Sequence, residues 1–269
     1  MTKAGADTRK TPLFEVRGLT RAFGGLVAVD GVSFGINPAE RVALIGPNGA
    51  GKTTCFNLLN GQLKPDRGEV ILDDRAVTGR KPRSMVRLGV GRTFQIARSF
   101  TGMTVAANIG TALDAAAGRS LSFRRSRDTA ARIEELLDLV GLHGAGHSPV
   151  DALPYGDVKR LDLAMALAAR PRLLLMDEPT AGMAAADRAL LMDQVSRIVT
   201  ETHVAVLFTE HDMDAVFGHA DRVLVMAHGR LIAEGSVDRI RRDPEVQRVY
   251  LGKAQGLATT GADEGSTDA

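Results

Sequence analysis

The stretch GPNGAGKTT, Gly46 to Thr54, has residue types and spacing suited to holding phosphate. It fits G-x-x-x-x-G-K-[ST] and sits after the apolar run RVALI and before CFNLLN, the strand–loop–helix setting the pattern requires. Gly46, Gly49 and Gly51 let backbone amides turn inward around phosphate oxygens. Pro47, Asn48, Ala50 and Thr54 complete the cradle, and the following helix adds the positive end of its dipole. Lys52 can reach β- and γ-phosphates, and the Thr53 hydroxyl can ligate Mg²⁺. A chance glycine-rich loop is the bland alternative, and the flanking pattern weighs against it.

Two further chemical groups lie far along the chain. RLLLMDEP reads as a buried strand ending in Asp177 and Glu178. An aspartate at such a strand end suits Mg²⁺, and the next acid suits hydrogen bonding to an attacking water. Acids after a strand also cap helices, but beside a phosphate loop the catalytic reading prevails. LFTEHD ends another strand at His211, placed to touch the same site. A lone histidine is more often structural, but its place after the next strand favours a γ-phosphate sensor.

These groups need a scaffold of alternating strands and helices. LFEVRGLTRAF, VAVDGVSFGI, RVALIG and GEVILDD read as strands broken by Gly and Pro. RLLLMDE, HVAVLFTE and RVLVMAHG follow, interleaved with helices over 184–200 and 213–218. Continuous apolar strands alternating with helices imply a parallel sheet covered on both faces. In ARIEELLDLVGL, Ile133, Leu136, Leu137 and Val140 recur at helical spacing, predicting an amphipathic helix that stops at Gly141. Residues 1–10 and 254–269 are small and polar and read as tails around a domain spanning 11–253.

Composition narrows the class. A chain of 269 residues, 44% hydrophobic and 25% charged, can bury a sizeable globular core. A formal charge of +2 offers no nucleic-acid stripe, and FRRSR (123–127) is a short solvated run. The single cysteine, Cys55, excludes an internal disulfide framework and reads as a buried small hydrophobe. No apolar run reaches the ~18 residues of a membrane span.

Taken together, the phosphate loop, the strand-end acids and the strand-end histidine resemble the ATP-binding subunits of ABC transporters, over about residues 13–252. The resemblance implies a P-loop NTPase α/β core, with a mainly parallel sheet, an antiparallel β portion and a helical subdomain over about 96–165. It implies ATP and Mg²⁺, with Thr53, Asp177 and Gln95 toward the metal and Glu178 as general base. Lys52, Gln95 in GRTFQIARSF and His211 join the catalytic set. Phe23 takes the place of the aromatic that stacks on adenine, with a packed strand aromatic as the alternative. Thr180–Met183 resembles the loop that crosses to a second subunit.

FGGLVAVDGVSF, GRTFQIARSFTGMTV, LPYGDVKRLDLAMALA and the closing EGSVDRIRRDPEVQRVYLG are similar to the ATPase subunits of branched-chain amino acid importers. That implies membrane-spanning permease subunits, a second identical or different ATPase subunit, an indirect link to a solute-binding protein, and a peripheral place on the cytoplasmic face of the inner membrane. Similar subunits serve urea, amides and aromatic acids, so the solute stays open. Lipopolysaccharide-exporting ATPases and soluble non-transport ABC ATPases are the alternatives.

LPYGD, Leu153 to Asp157, stands where the family's signature reads Leu-Ser-Gly-Gly-Gln. Pro154 cannot supply the familiar serine hydroxyl. The amides of Tyr155 and Gly156 at a helix N-terminus remain a seat for an anion, and Asp157 is expected to be the N-cap of VKRLDLAMALA. A decayed loop is the alternative.

Overall fold

Alternation along the apolar strands builds the architecture. In a computed structural model, which describes residues 11–93, 99–118 and 127–251, the chain opens with β1 (Phe14–Phe23) and β2 (Leu26–Ile36). β3 (Arg41–Ile45), α1 (Lys52–Leu59), β4 (Arg67–Leu72), β5 (Arg75–Ala76), α2 (Pro82–Arg87) and β6 (Val90–Thr93) follow. Next come the helices α3 (Val105–Ala116), α4 (Arg127–Leu139) and α5 (Tyr155–Leu167). The last part holds β7 (Leu173–Asp177), α6 (Ala185–Thr202), β8 (Ala205–Thr209), α7 (Met213–His219), β9 (Arg222–Ala227), β10 (Arg230–Gly235), α8 (Val237–Arg242) and α9 (Pro244–Leu251). The expected tails, 1–10 and 254–269, and Gln95 lie outside the described residues.

Six strands form one sheet in the order β10-β9-β3-β8-β7-β6, parallel except for β10, which runs antiparallel on β9. A separate antiparallel sheet runs β2-β1-β4-β5. Successive residues of each central strand enter opposite cores. Val42 and Leu44, Leu173 and Leu175, and Ala205 and Leu207 face α1 and the antiparallel sheet. Ala43 and Ile45, Leu174 and Met176, and Val206 and Phe208 face α3–α6. Both faces are therefore dry, which is why these strands read as unbroken apolar runs. Burying each large side chain contributes about 1.5–3 kcal/mol, so the strand ends that carry the polar chemistry are rigidly held.

The predicted amphipathic helix is α4. Ile133, Leu136, Leu137 and Val140 are all 3% exposed or less. Gly141, at φ 70°, turns the chain, and the Leu142 amide donates to the Leu137 carbonyl at 2.8 Å, closing the helix end. α6 and α7 also match their predicted positions, and the Asp212 carboxylate caps α7 by accepting from the amides of Asp214 and Ala215. Strand β10 was not anticipated. RLIAEG sits at the sheet edge with mixed burial, so it lacks the apolar run that marks the central strands.

Cys55, on α1, is fully buried, and burial pushes its thiol up to about 12. At the opposite end of the parallel sheet, Arg41 clamps Asp221. The Arg41 amide and guanidinium donate to both carboxylate oxygens at 2.6–3.1 Å. Burial raises the Asp221 carboxyl, but the hydrogen bonds and charge of Arg41 outweigh it and hold the group below its usual 3.8. A depressed carboxylate stabilises the fold above that value and loses its contribution as pH falls through the folded pKa. Asp221→Asn is therefore expected to melt below the native chain near neutral pH, with the gap closing below pH 3.8. Thermal melts across that range check it, and a gap independent of pH would refute the linkage.

Candidate functional site

β3 delivers the phosphate loop at its C-terminal end, beside β9 and the start of β2. A Cβ on Gly46 would lie 2.1 Å from the Met226 carbonyl oxygen, and one on Gly51 would lie 2.2 Å from that of Ala28. Glycine is the residue those close approaches permit. Lys52 opens α1, and its ammonium donates to the carbonyls of Gly46 at 2.7 Å and Pro47 at 3.2 Å, lying across the loop. Burial pulls its pKa below the ordinary lysine value, against the attraction of Glu178 and Asp177. Thr53 is exposed beside it.

The acids arrive on β7. Asp177 is buried, and its carboxylate accepts from the Thr209 hydroxyl at 2.9 Å and the Arg92 guanidinium at 3.2 Å. Arg92 also donates to Asn57 and Gln62, tying β6 and α1 to the same point. Glu178 adopts φ 49°, a left-handed conformation that costs a non-glycine residue about 1–3 kcal/mol and clusters at functional sites. Its amide donates to the Thr209 hydroxyl at 2.9 Å. The turn carries its Oε1 to 2.7 Å from Nε2 of His211. A carboxylate and an imidazole from neighbouring strand ends thus meet at the mouth of the loop.

One cleft of about 590 Å³ gathers the phosphate loop, Glu178 and His211, while the buried Asp177 is not among its lining residues. Asn48, Gly49, Ala50, Gly51, Lys52, Thr53 and Thr54 form one wall, Glu178 and His211 another, and Phe23 a third. Phe23 is 44% exposed, so its ring is not packed into the strand core, and the Arg21 guanidinium lies 5.0 Å from the ring centre. Leu26, Val27 and His228 line the same cleft and were missed from the sequence. The exposed Leu26 and Val27 sit in β2 beside Phe23, where an outward apolar pair is a signal that could have found them.

Tyr155 and Gly156 lie elsewhere, at the N-terminus of α5. The helix starts at Tyr155, after Pro154, not after Asp157 as the sequence suggested. Pro154 presets a φ compatible with helix entry, and its carbonyl accepts from the amides of Asp157 and Val158 at 3.0 and 3.1 Å. Asp157 is consequently inside the first turn and pairs with Arg160 at 3.0 Å; it is not the N-cap. Among the described residues the amides of Tyr155 and Gly156 have no acceptor, which keeps them available to an anion. The Tyr155 hydroxyl donates to the Ala181 carbonyl at 3.1 Å, linking α5 to the loop after Glu178.

A glycine loop on a parallel strand, strand-end acids and a helical arm define a P-loop ATPase cassette. The sequence profile of the ABC transporter family matches residues 29–181, and that of the branched-chain amino acid ATP-binding cassette transporters matches 230–255. The chain belongs to the ABC transporter ATP-binding family: it binds nucleotide and hydrolyses ATP for transport. It is 38% identical over 252 residues to the high-affinity branched-chain amino acid transport ATP-binding protein LivG of Escherichia coli (strain K12), covering 90% of this chain and 99% of the relative. BraF of Pseudomonas aeruginosa, of the same description, is 37% identical over the same shares. The crystal structure of the ADP conformation of an ATP-binding cassette of an ABC transporter superposes with a TM-score of 0.81 at 28% identity, over 90% of this chain and 100% of that one. No helix among the described residues is long and apolar enough to cross a membrane.

Proposed function

We propose that this chain drives import of branched-chain amino acids, as one ATPase of a pair beneath membrane-spanning subunits. The observation that carries the solute assignment is the C-terminal match over 230–255, together with near-complete coverage of LivG. Peripheral attachment to the cytoplasmic face follows from that partnership, and a solute-binding protein acts through the membrane subunits. A groove of about 690 Å³ between α2, α3 and α5, lined by Val86, Ala112 and Met165 with Arg83, Arg87 and Asp162 among its charged walls, suits a short amphipathic helix of a membrane partner.

In the chemical step, the phosphate-loop amides and Lys52 hold the β- and γ-phosphates and offset their charge. Glu178 accepts a proton from the attacking water, and His211 steadies both Glu178 and the γ-phosphate. The donor set suits Mg²⁺, which keeps several waters and takes few protein ligands: an exposed hydroxyl on Thr53 and a carboxylate on Asp177. When bound, the ion neutralises phosphate charge. Gln95 is assigned to the metal and water by family resemblance. Tyr155 and Gly156 face the γ-phosphate held by the second subunit, through their amides.

Phe23 gives the adenine platform. Phe23→Ala is expected to weaken ATP binding by about 5–10-fold, the scale of a lost stacking contact, with turnover at saturation little changed. Titration with a fluorescent ATP analogue checks it, and unchanged affinity would move adenine to another wall. The import reading is tested by deleting the gene in its host and measuring uptake of labelled leucine, valine and urea. Loss of leucine and valine uptake alone supports it; loss of urea uptake alone overturns the solute assignment.

A further inference from the structure

Glu210 is a buried acid beside the Glu178–His211 pair to which the hydrolysis scheme above gives no task. It is 5% exposed and lies between β8 and His211. Its Oε1 accepts from the Thr180 amide at 2.9 Å and the Thr180 hydroxyl at 2.6 Å, both inside the protein. Its Oε2 accepts from the His211 amide at 3.3 Å. Thr180 is 2% exposed and stands two residues after Glu178. One buried carboxylate therefore grips the backbone flanking both members of the Glu178–His211 pair. The left-handed Glu178 backbone persists only where its surroundings fix it, and this grip supplies the fixing from the far side of the turn. Beyond Thr180, the Ala181 carbonyl is held by Tyr155, so the same loop ends on the signature helix.

We propose that Glu210 is a positioning residue for hydrolysis. It clamps Thr180 to the end of β8, sets the Glu178 carboxylate against His211, and ties that geometry to the N-terminus of α5. This rests on the reading of Glu178 as general base. Glu210 does not line the cleft that gathers the phosphate loop, Glu178 and His211.

The test uses the full-length chain, with phosphate release for kcat and KM and equilibrium binding of a fluorescent ATP analogue. Thr180→Val keeps the side-chain volume but removes the hydroxyl, and is expected to lower kcat about 5–10-fold with ATP affinity within about 2-fold. Glu210→Ala should lower kcat by more than about 30-fold, and Glu210→Gln, which keeps Oε1, should recover most of that loss. Combining Glu210→Ala with Thr180→Val should cost no more than Glu210→Ala alone, because both act through one contact. If Glu210→Ala does not fold, Thr180→Val and Glu210→Gln decide the matter. The proposal is overturned if Thr180→Val turns over within about 2-fold of the native chain, if the loss appears in affinity and not in kcat, or if the effects add. Glu178→Gln is measured alongside. Its inactivity with an active Thr180→Val sinks the clamp alone, whereas its activity sinks the general-base reading beneath it.

Discussion

Glu178→Gln is expected to lower ATP turnover by at least about 100-fold while leaving ATP binding intact, the scale of a lost general base. The amide keeps the volume and one hydrogen-bonding oxygen, so the 2.7 Å contact with His211 can survive in altered form. What it loses is the capacity to take a proton from water. Binding is untouched because the phosphate loop and Phe23 lie on other walls of the cleft. With closure allowed and hydrolysis blocked, an ATP-bound dimer should accumulate, visible as an earlier-eluting species on size exclusion. Phosphate release near the native rate would remove Glu178 from the chemistry.

Gly156→Asp is expected to abolish ATP-dependent pairing and to reduce turnover by about 100-fold or more, with ATP still bound by the phosphate loop. A Cβ at Gly156 has ordinary room, with the Asp187 Cγ at 3.5 Å and the Met183 Cε at 3.6 Å. The fold therefore tolerates a side chain, and the damage is electrostatic. A second carboxylate beside Asp187 would cover amides of a helix N-terminus proposed to receive phosphate from the opposite subunit. Gly156→Ala, lacking the charge, should be much milder. Affinity, dimer fraction and turnover measured together check this, and normal turnover in Gly156→Asp would make LPYGD an ordinary loop.

How much of this was legible beforehand depends on whether the signal is local. The phosphate loop was plain because its glycines, lysine and flanking strand and helix are contiguous, and the strand pattern was plain because each central strand is apolar on both faces. Asp177, Glu178 and His211 could be named since strand ends in a parallel sheet converge. Their partners could not. The Arg92–Asp177 bond spans 85 positions and the Glu210–Thr180 bonds span 30, and no periodicity encodes such pairings. The Asp157 error has the opposite origin: two local rules competed, and the fixed φ of Pro154 started the helix before the acid could cap it. β10 escaped notice because an edge strand can be half polar and still pair.

The burial of Cys55 has a practical consequence. With its thiol inside α1 and pushed up to about 12, the chain's only sulfhydryl presents almost no thiolate at neutral pH and no accessible sulfur. The native sequence is thus already blank toward maleimides and disulfide-forming oxidants while folded. Cysteines introduced in pairs, one near Tyr155 and one near the phosphate loop, would carry dyes or spin labels without any background substitution, and distances between two copies could be followed through the ATP cycle in an otherwise unaltered protein.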